Sequence, residues 1–178
     1  MSQQSVWNID VAHSLIEFSV RHMMLAKVKG TFGRFQGSIT LEGDSLVPVA
    51  AEVSIETASI DTGVQDRDNH LRSADFFDAE KFPTMRFVSK RAENVTNEGF
   101  RLIGDLTIRD VTKEVALEVE PVGKQKDPWG NERVGYSAKT RIDRKDFGLT
   151  WNQALETGGL IVSDRVDITL EIEAVLAK

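Results

Sequence analysis

A chain of 178 residues, 40% hydrophobic and 28% charged, is long enough for one domain with a sizeable core and too apolar for wholesale disorder. Its formal net charge of -6 argues against a phosphate-backbone binder, which carries a basic patch or stripe. It has no cysteine, which excludes disulfides, thiolate nucleophiles and thiolate metal sites.

The first ten residues, MSQQSVWNID, hold no Lys or Arg and no apolar run, so they do not read as a secretory signal. No stretch approaches the roughly 18 consecutive apolar residues of a membrane helix. A soluble, cytoplasmic protein without a membrane span is the expectation.

Period-two alternation then dominates, the mark of strands with one buried face. Ile16, Phe18 and Val20 alternate with Glu17, Ser19 and Arg21, and His22 continues the inward parity. Gly30, Gly33 and Gly37 read as bulges or bends in a curved sheet. Phe35, Gly37, Ile39 and Leu41 share one face, and so do Val49, Ala51, Val53 and Ile55.

From Val64 to Phe82 the alternation stops. Asp61 and Thr62 can cap a short helix through Leu71, with Asp68 and Arg72 spaced for a surface pair. Pro83 bars its continuation. Phe76 and Phe77 follow the helix, and either form a lid at one mouth of a barrel or simply seal its end.

Strand patterns resume after Pro83 with Met85 and Phe87. Phe100, Leu102, Leu106 and Ile108 share a face, then Val115, Leu117 and Val119, then Val134, Tyr136, Ala138 and Ile142. The last segment places Val166, Ile168, Leu170, Ile172, Ala174 and Leu176 on one side and mostly acids on the other. Turn signals at Glu42-Gly43-Asp44, Asn97-Glu98-Gly99, Arg109-Asp110 and Asp127 to Asn131 separate these runs. About eight strands result. The fold class is all-β, one sandwich or barrel domain over residues 1–178 with a short inserted helix.

Catalytic motifs are scarce. No G-x-S-x-G elbow, Walker motif or H-E-x-x-H occurs, and Asp146-Phe147-Gly148 lacks the other parts of a kinase. A histidine metal site would need ligands on one face, but His13 and His22 have opposite parity and His70 lies on the helix, so structural roles are the better reading. The acids Asp66, Asp68, Asp75, Asp78 and Glu80 lack calcium-loop order and read as a solvated face. Lys29 to Phe35 weakly echoes an RNA-binding strand, against the acidic, many-stranded whole.

What remains is the interior. It is either hollow or packed solid, and periodicity leaves both open. If hollow, its lining is Ile16, Phe18, Val20, Phe35, Ile39, Val53, Ile55, Met85, Phe87, Leu102, Leu106, Leu117, Tyr136 and Ile142, with Leu71, Phe76 and Phe77 gating the mouth and His22 meeting a polar headgroup. Such a lining suits a long apolar lipid, with no catalysis and no cofactor required. The rival is an enzyme acting on a small amphiphile with His22 or His70 as general base. A packed barrel that binds another protein is a third reading.

Several segments together resemble the YceI-like family of polyisoprenoid-binding proteins. They are Trp7-Asn8-Ile9-Asp10, Ile16 to His22, Gly30-Thr31-Phe32, Ile60-Asp61-Thr62-Gly63, Arg67-Asp68-Asn69-His70-Leu71-Arg72-Ser73, Asp75-Phe76-Phe77-Asp78, Lys81-Phe82-Pro83 and Arg144-Lys145-Asp146-Phe147-Gly148. The resemblance implies a lipocalin-like, extended eight-stranded antiparallel β-barrel with a polyisoprenoid or prenyl quinone in its pore. It also implies storage or transport without accepted catalytic activity, and possible homodimers. Many family members are periplasmic. The G-x-W signature of true lipocalins is missing, so that likeness is architectural only.

Overall fold

The alternating runs become strands that close on themselves. The computed structural model describes residues 3–23, 25–152 and 162–178. Within them lie β1 (Gln4–Ile9), β2 (Leu15–His22), β3 (Ala26–Phe32), β4 (Phe35–Glu42), β5 (Ala50–Glu56), β6 (Ile60–Asp61), α1 (Gln65–Arg72), β7 (Thr84–Glu93), β8 (Phe100–Ile108), β9 (Val111–Lys126), β10 (Glu132–Asp143) and β11 (Arg165–Leu176).

Six of these strands combine into three long staves. β1 and β2 both pair with β11, putting Trp7 opposite Leu176 and Phe18 opposite Ile168. Between them Asp10 accepts from the Ala12 amide and holds a 3₁₀ turn, Val11–His13. β3 and β4 are parted by Gly33 and Arg34, and β5 and β6 by the 3₁₀ turn Thr57–Ser59. Each stave pairs antiparallel with the next in sequence, and β1 and β2 return to β11. The result is a closed eight-stranded antiparallel barrel, and closure removes the exposed edges that an open sheet would leave.

The helix fills a split in the wall. β5 pairs with β7 as far as Glu56 and Thr84, whereas β6 turns to pair with β3. Residues 62–83 leave the sheet between β6 and β7. Thr57, buried, ties the base of the excursion: its amide donates to the Pro83 carbonyl (3.0 Å) and its hydroxyl to the Phe82 carbonyl (2.9 Å).

Details of this excursion differ from the sequence reading. Val64, not Asp61 or Thr62, stands at the helix N-cap, and no side chain caps it. Asp61 instead accepts from the Gly63 amide. Asp68 is buried and not part of a solvated face; it accepts from the Thr62 amide and hydroxyl, leaving no pairing with Arg72. Arg72 donates to the carbonyls of Ala58 and Ile60. A buried carboxylate satisfies its lone pairs locally, which surface spacing cannot anticipate. Val49 precedes β5 and is exposed, outside the face read for it.

The core falls into two clusters. Trp7, Leu41, Phe100, Val134, Tyr136 and Ala174 anchor one end of the barrel. Ile16, Phe32, Ile60, Phe76, Ile108 and Phe147 anchor the end nearer the helix. Leu106, Val115 and Leu170 pack against both and mark the waist.

On the outside, Arg133 ties the Val11–His13 turn to the β9–β10 hairpin. Its guanidinium lies 2.8 Å from Asp10, 2.8 Å from Asp127 and 2.9 Å from Glu173. It holds Asp127 down to about 2 from 3.8 and lowers Asp10 as well, with His13 adding to the latter. A carboxyl group with a lower pKa folded than unfolded stabilises the fold above its unfolded value. That contribution is lost as pH falls through the folded value. The melting temperature should therefore drop between about pH 4 and pH 2, and Arg133→Gln should flatten this dependence. A pH series of thermal melts checks it.

Candidate functional site

The interior is hollow. A cavity of about 390 Å³ runs inside the barrel, with residues of β2, β4, β5, β7, β8, β9, β10 and β11 on its wall. Pocket volumes of this order suit a ligand rather than a few waters.

All but one of the side chains read as lining do line it. Ile16, Phe18, Val20, Ile39, Val53, Ile55, Met85, Phe87, Leu102, Leu106, Leu117, Tyr136 and Ile142 face the space, and His22, Leu71, Phe76 and Phe77 border it near the helix. Phe35 is the correction. It is buried in the helix-end cluster and forms none of the cavity surface. It has the inward parity of Ile39 and Leu41 but opens β4 inside the helix-end cluster. Parity gives the face that a side chain takes, not whether it borders open space or packs against a neighbour.

Two glycines make room for rings in the wall. A β-carbon at Gly30 would stand 2.4 Å from Phe18 Cζ, and one at Gly104 2.5 Å from Phe87 Cζ. Gly30 pairs in register with Phe18, so it is a slot for an aromatic ring and not the bulge expected. Phe18→Asp would put a carboxylate beside Phe32, whose ring centroid is 5.6 Å away. It should destabilise the barrel on the order of several kcal/mol, read as a lower melting temperature, unless the carboxyl takes up a proton.

Polar groups gather near the helix. Arg67, His70 and Leu71, at i, i+3 and i+4, share the helix face that borders the cavity. Arg67 donates to the Thr62 hydroxyl (2.8 Å) and carbonyl (2.9 Å). His70 lies 2.8 Å from Asp75 and packs edge-on against Phe76 and Trp151, at 5.2 and 4.6 Å between ring centroids. Phe77 meets Phe32 edge-on at 5.8 Å.

Arg144 is buried just after β10. It donates to the carbonyls of Leu149 (2.6 Å), Trp151 (2.8 Å), Ser163 (2.9 Å) and Val162 (3.3 Å), with Asp164 3.8 Å away. Burial lowers its pKa, and the four carbonyls keep the guanidinium solvated by backbone. At the other end, the Tyr136 hydroxyl donates to the Leu46 carbonyl (2.6 Å), and burial holds the phenol far above its usual range.

No Asp or Glu among the described residues lines the cavity, in a chain with 28 of them. Its ionisable lining is Arg21, His22, Arg67, His70, Tyr136 and Arg144. Sequence reasoning missed Arg67, Arg144, Phe32 and Trp151. Phe32 was legible as the third member of Val28, Gly30, Phe32. Arg144 and Trp151 come from a non-periodic connection that alternation does not reach, although Arg144 opens one of the segments that resemble the family. Asp10, His13 and Glu173 do cluster outside the barrel, but the Arg133 guanidinium already supplies the cation between Asp10 and Glu173. Among the described residues, no helix is long and apolar enough to cross a membrane.

A closed barrel with an apolar tube inside and its charged lining confined to one sign defines a class of protein built to enclose a guest. Residues 7–174 match the YceI-like domain, and the chain belongs to that family. It is 41% identical to a UPF0312 protein of Staphylococcus epidermidis, over 94% of this chain and 95% of that one. The crystal structure of the Campylobacter jejuni YceI protein superposes with a TM-score of 0.78 at 34% identity, covering 89% of this chain and 90% of that one. A polyisoprenoid binding domain from Saccharophagus degradans shares the fold at a TM-score of 0.69 and 13% identity, covering 98% and 100%.

Proposed function

We propose that this barrel binds and carries one long apolar isoprenoid, or a similar amphiphile such as a prenyl quinone, and turns nothing over. The observation that carries the reading is the tube itself: aliphatic and aromatic side chains line it from one core cluster to the other, and its ionisable groups sit mainly toward the helix. Each Å² of alkyl surface buried there contributes about 25 cal/mol, so a polyprenyl chain binds firmly without specific hydrogen bonds. The polar headgroup stays near the helix, within reach of His22 and Arg67. The likeness to the polyisoprenoid binding domain of Saccharophagus degradans supports the same ligand class. A binding role also suits the lining: His70 is engaged by Asp75, Arg67 by Thr62 and Arg144 by four carbonyls, so these groups position structure and do not confront a reactant.

Purified protein should release an isoprenoid on solvent extraction, identified by mass spectrometry. Delipidated protein should take up a prenyl quinone with quenching of Trp151, which sits on the cavity wall. A preparation that carries no lipid and takes none up overturns the reading.

A further inference from the structure

The β2–β3 hairpin carries a feature that binding a guest does not use. From Phe18 to Leu41 the chain has no acidic residue, although the whole has a net charge of -6. Arg21 stands directly opposite Lys27 in the ladder, and Lys29 follows two residues on, opposite Ser19, so all three share the outer face. Like charges placed opposite one another destabilise a sheet. All three side chains are exposed, and none forms an ion pair with a described residue. At the turn between the strands Leu25 is 81% exposed and Met23 39% exposed. An apolar tip flanked by unpaired cations is poorly suited to water, and it matches the interface of an anionic bilayer in both respects.

The position matters as much as the composition. Arg21 and His22 are exposed to solvent and also line the cavity, so the tube meets the outside at this hairpin. Val20 and Val28, paired across the hairpin, continue the cavity wall toward it.

We propose that the β2–β3 hairpin is a membrane-docking surface. Leu25 and Met23 enter the headgroup boundary of an anionic lipid bilayer, and Arg21, Lys27 and Lys29 rest on its phosphates. Docking brings the cavity mouth to the lipid surface, so a guest passes between bilayer and barrel without crossing bulk water. The opposite hairpin, β9–β10, carries exposed Trp129 at its tip but also the acids Asp127 and Glu132, and it lies at the far end of the barrel.

Flotation of the full chain with phosphatidylcholine vesicles, with and without phosphatidylglycerol at about one-third of the lipid, tests this. Wild-type protein should bind the anionic vesicles, weaken with added salt, and bind neutral vesicles at least tenfold less. Each cation near an anionic surface contributes about a fivefold gain in binding, so Arg21→Gln, Lys27→Gln and Lys29→Gln together should lose about a hundredfold. Leu25→Asp should also weaken binding. Trp129→Asp with Lys126→Glu, at the far end, should leave it unchanged. Thermal melts confirm that each variant is folded. Equal binding to neutral and anionic vesicles, or a triple variant that floats like wild type, overturns the proposal. Vesicle binding without uptake of a prenyl quinone would instead remove the lipid-carrier reading and leave docking standing.

Discussion

Val115→Trp should abolish uptake of a long prenyl quinone by a barrel that still folds. Val115 lies at the waist, where it and its neighbours Leu106 and Leu170 touch both core clusters and face the tube. Val115 lies on the tube wall, so an indole that takes the direction of its side chain projects into the passage. Overpacking costs about 1–3 kcal/mol, a fraction of the roughly 5–15 kcal/mol that holds a domain together. The fold therefore survives while the passage closes. Leu170→Trp should act alike, whereas Glu114→Trp, one residue away on the outer surface, should bind as wild type. A short isoprenoid should still enter the helix-end half of a Val115→Trp barrel, because only the waist is blocked. Lipid stoichiometry by native mass spectrometry, with chains of two lengths, reads both effects. Full-length quinone bound at wild-type stoichiometry would show that the guest lies elsewhere.

Arg144→Met should lower the melting temperature by about 10 °C. The guanidinium is the sole described side-chain donor to the carbonyls of Leu149, Trp151 and Ser163. A methionine fills much of the volume but leaves these acceptors without a donor. Each stranded buried group costs about 1–3 kcal/mol, so a total on the order of 4 kcal/mol is reasonable, and about 2–4 °C follows per kcal/mol at this chain length. Arg144→Lys should not restore the loss, since one ammonium cannot span four carbonyls. Thermal unfolding followed by circular dichroism measures this. Trp151 should also leave the cavity wall, visible as a red shift of its emission. An unchanged melting temperature would mean that water replaces the guanidinium without penalty.

Much of this barrel was legible beforehand. The stave from Val166 to Leu176 alternates almost without fault, and its apolar members Ile168, Leu170 and Ile172 all face the cavity. Phe18 and Phe87 were assigned inward by parity alone. Phe35 turns inward as its parity requires, yet it packs into the helix-end cluster and leaves the tube to others. Alternation gives the face and not the distance to the next side chain. The acidity and helical spacing of Asp68 suggest a surface, while its partner is Thr62, six residues back in the connection before the helix.

Which side chains turn inward was settled by the sequence, since alternation at period two leaves one face greasy and one charged. Whether the greasy faces meet or stand apart was decided only by tertiary closure. The space enclosed by eight staves depends on how they tilt and stagger, a relation among distant strands that no local pattern encodes. The same holds for Arg144 and Trp151, whose places at the cavity arise from a connection with no period, held by carbonyls that sequence does not distinguish from any others.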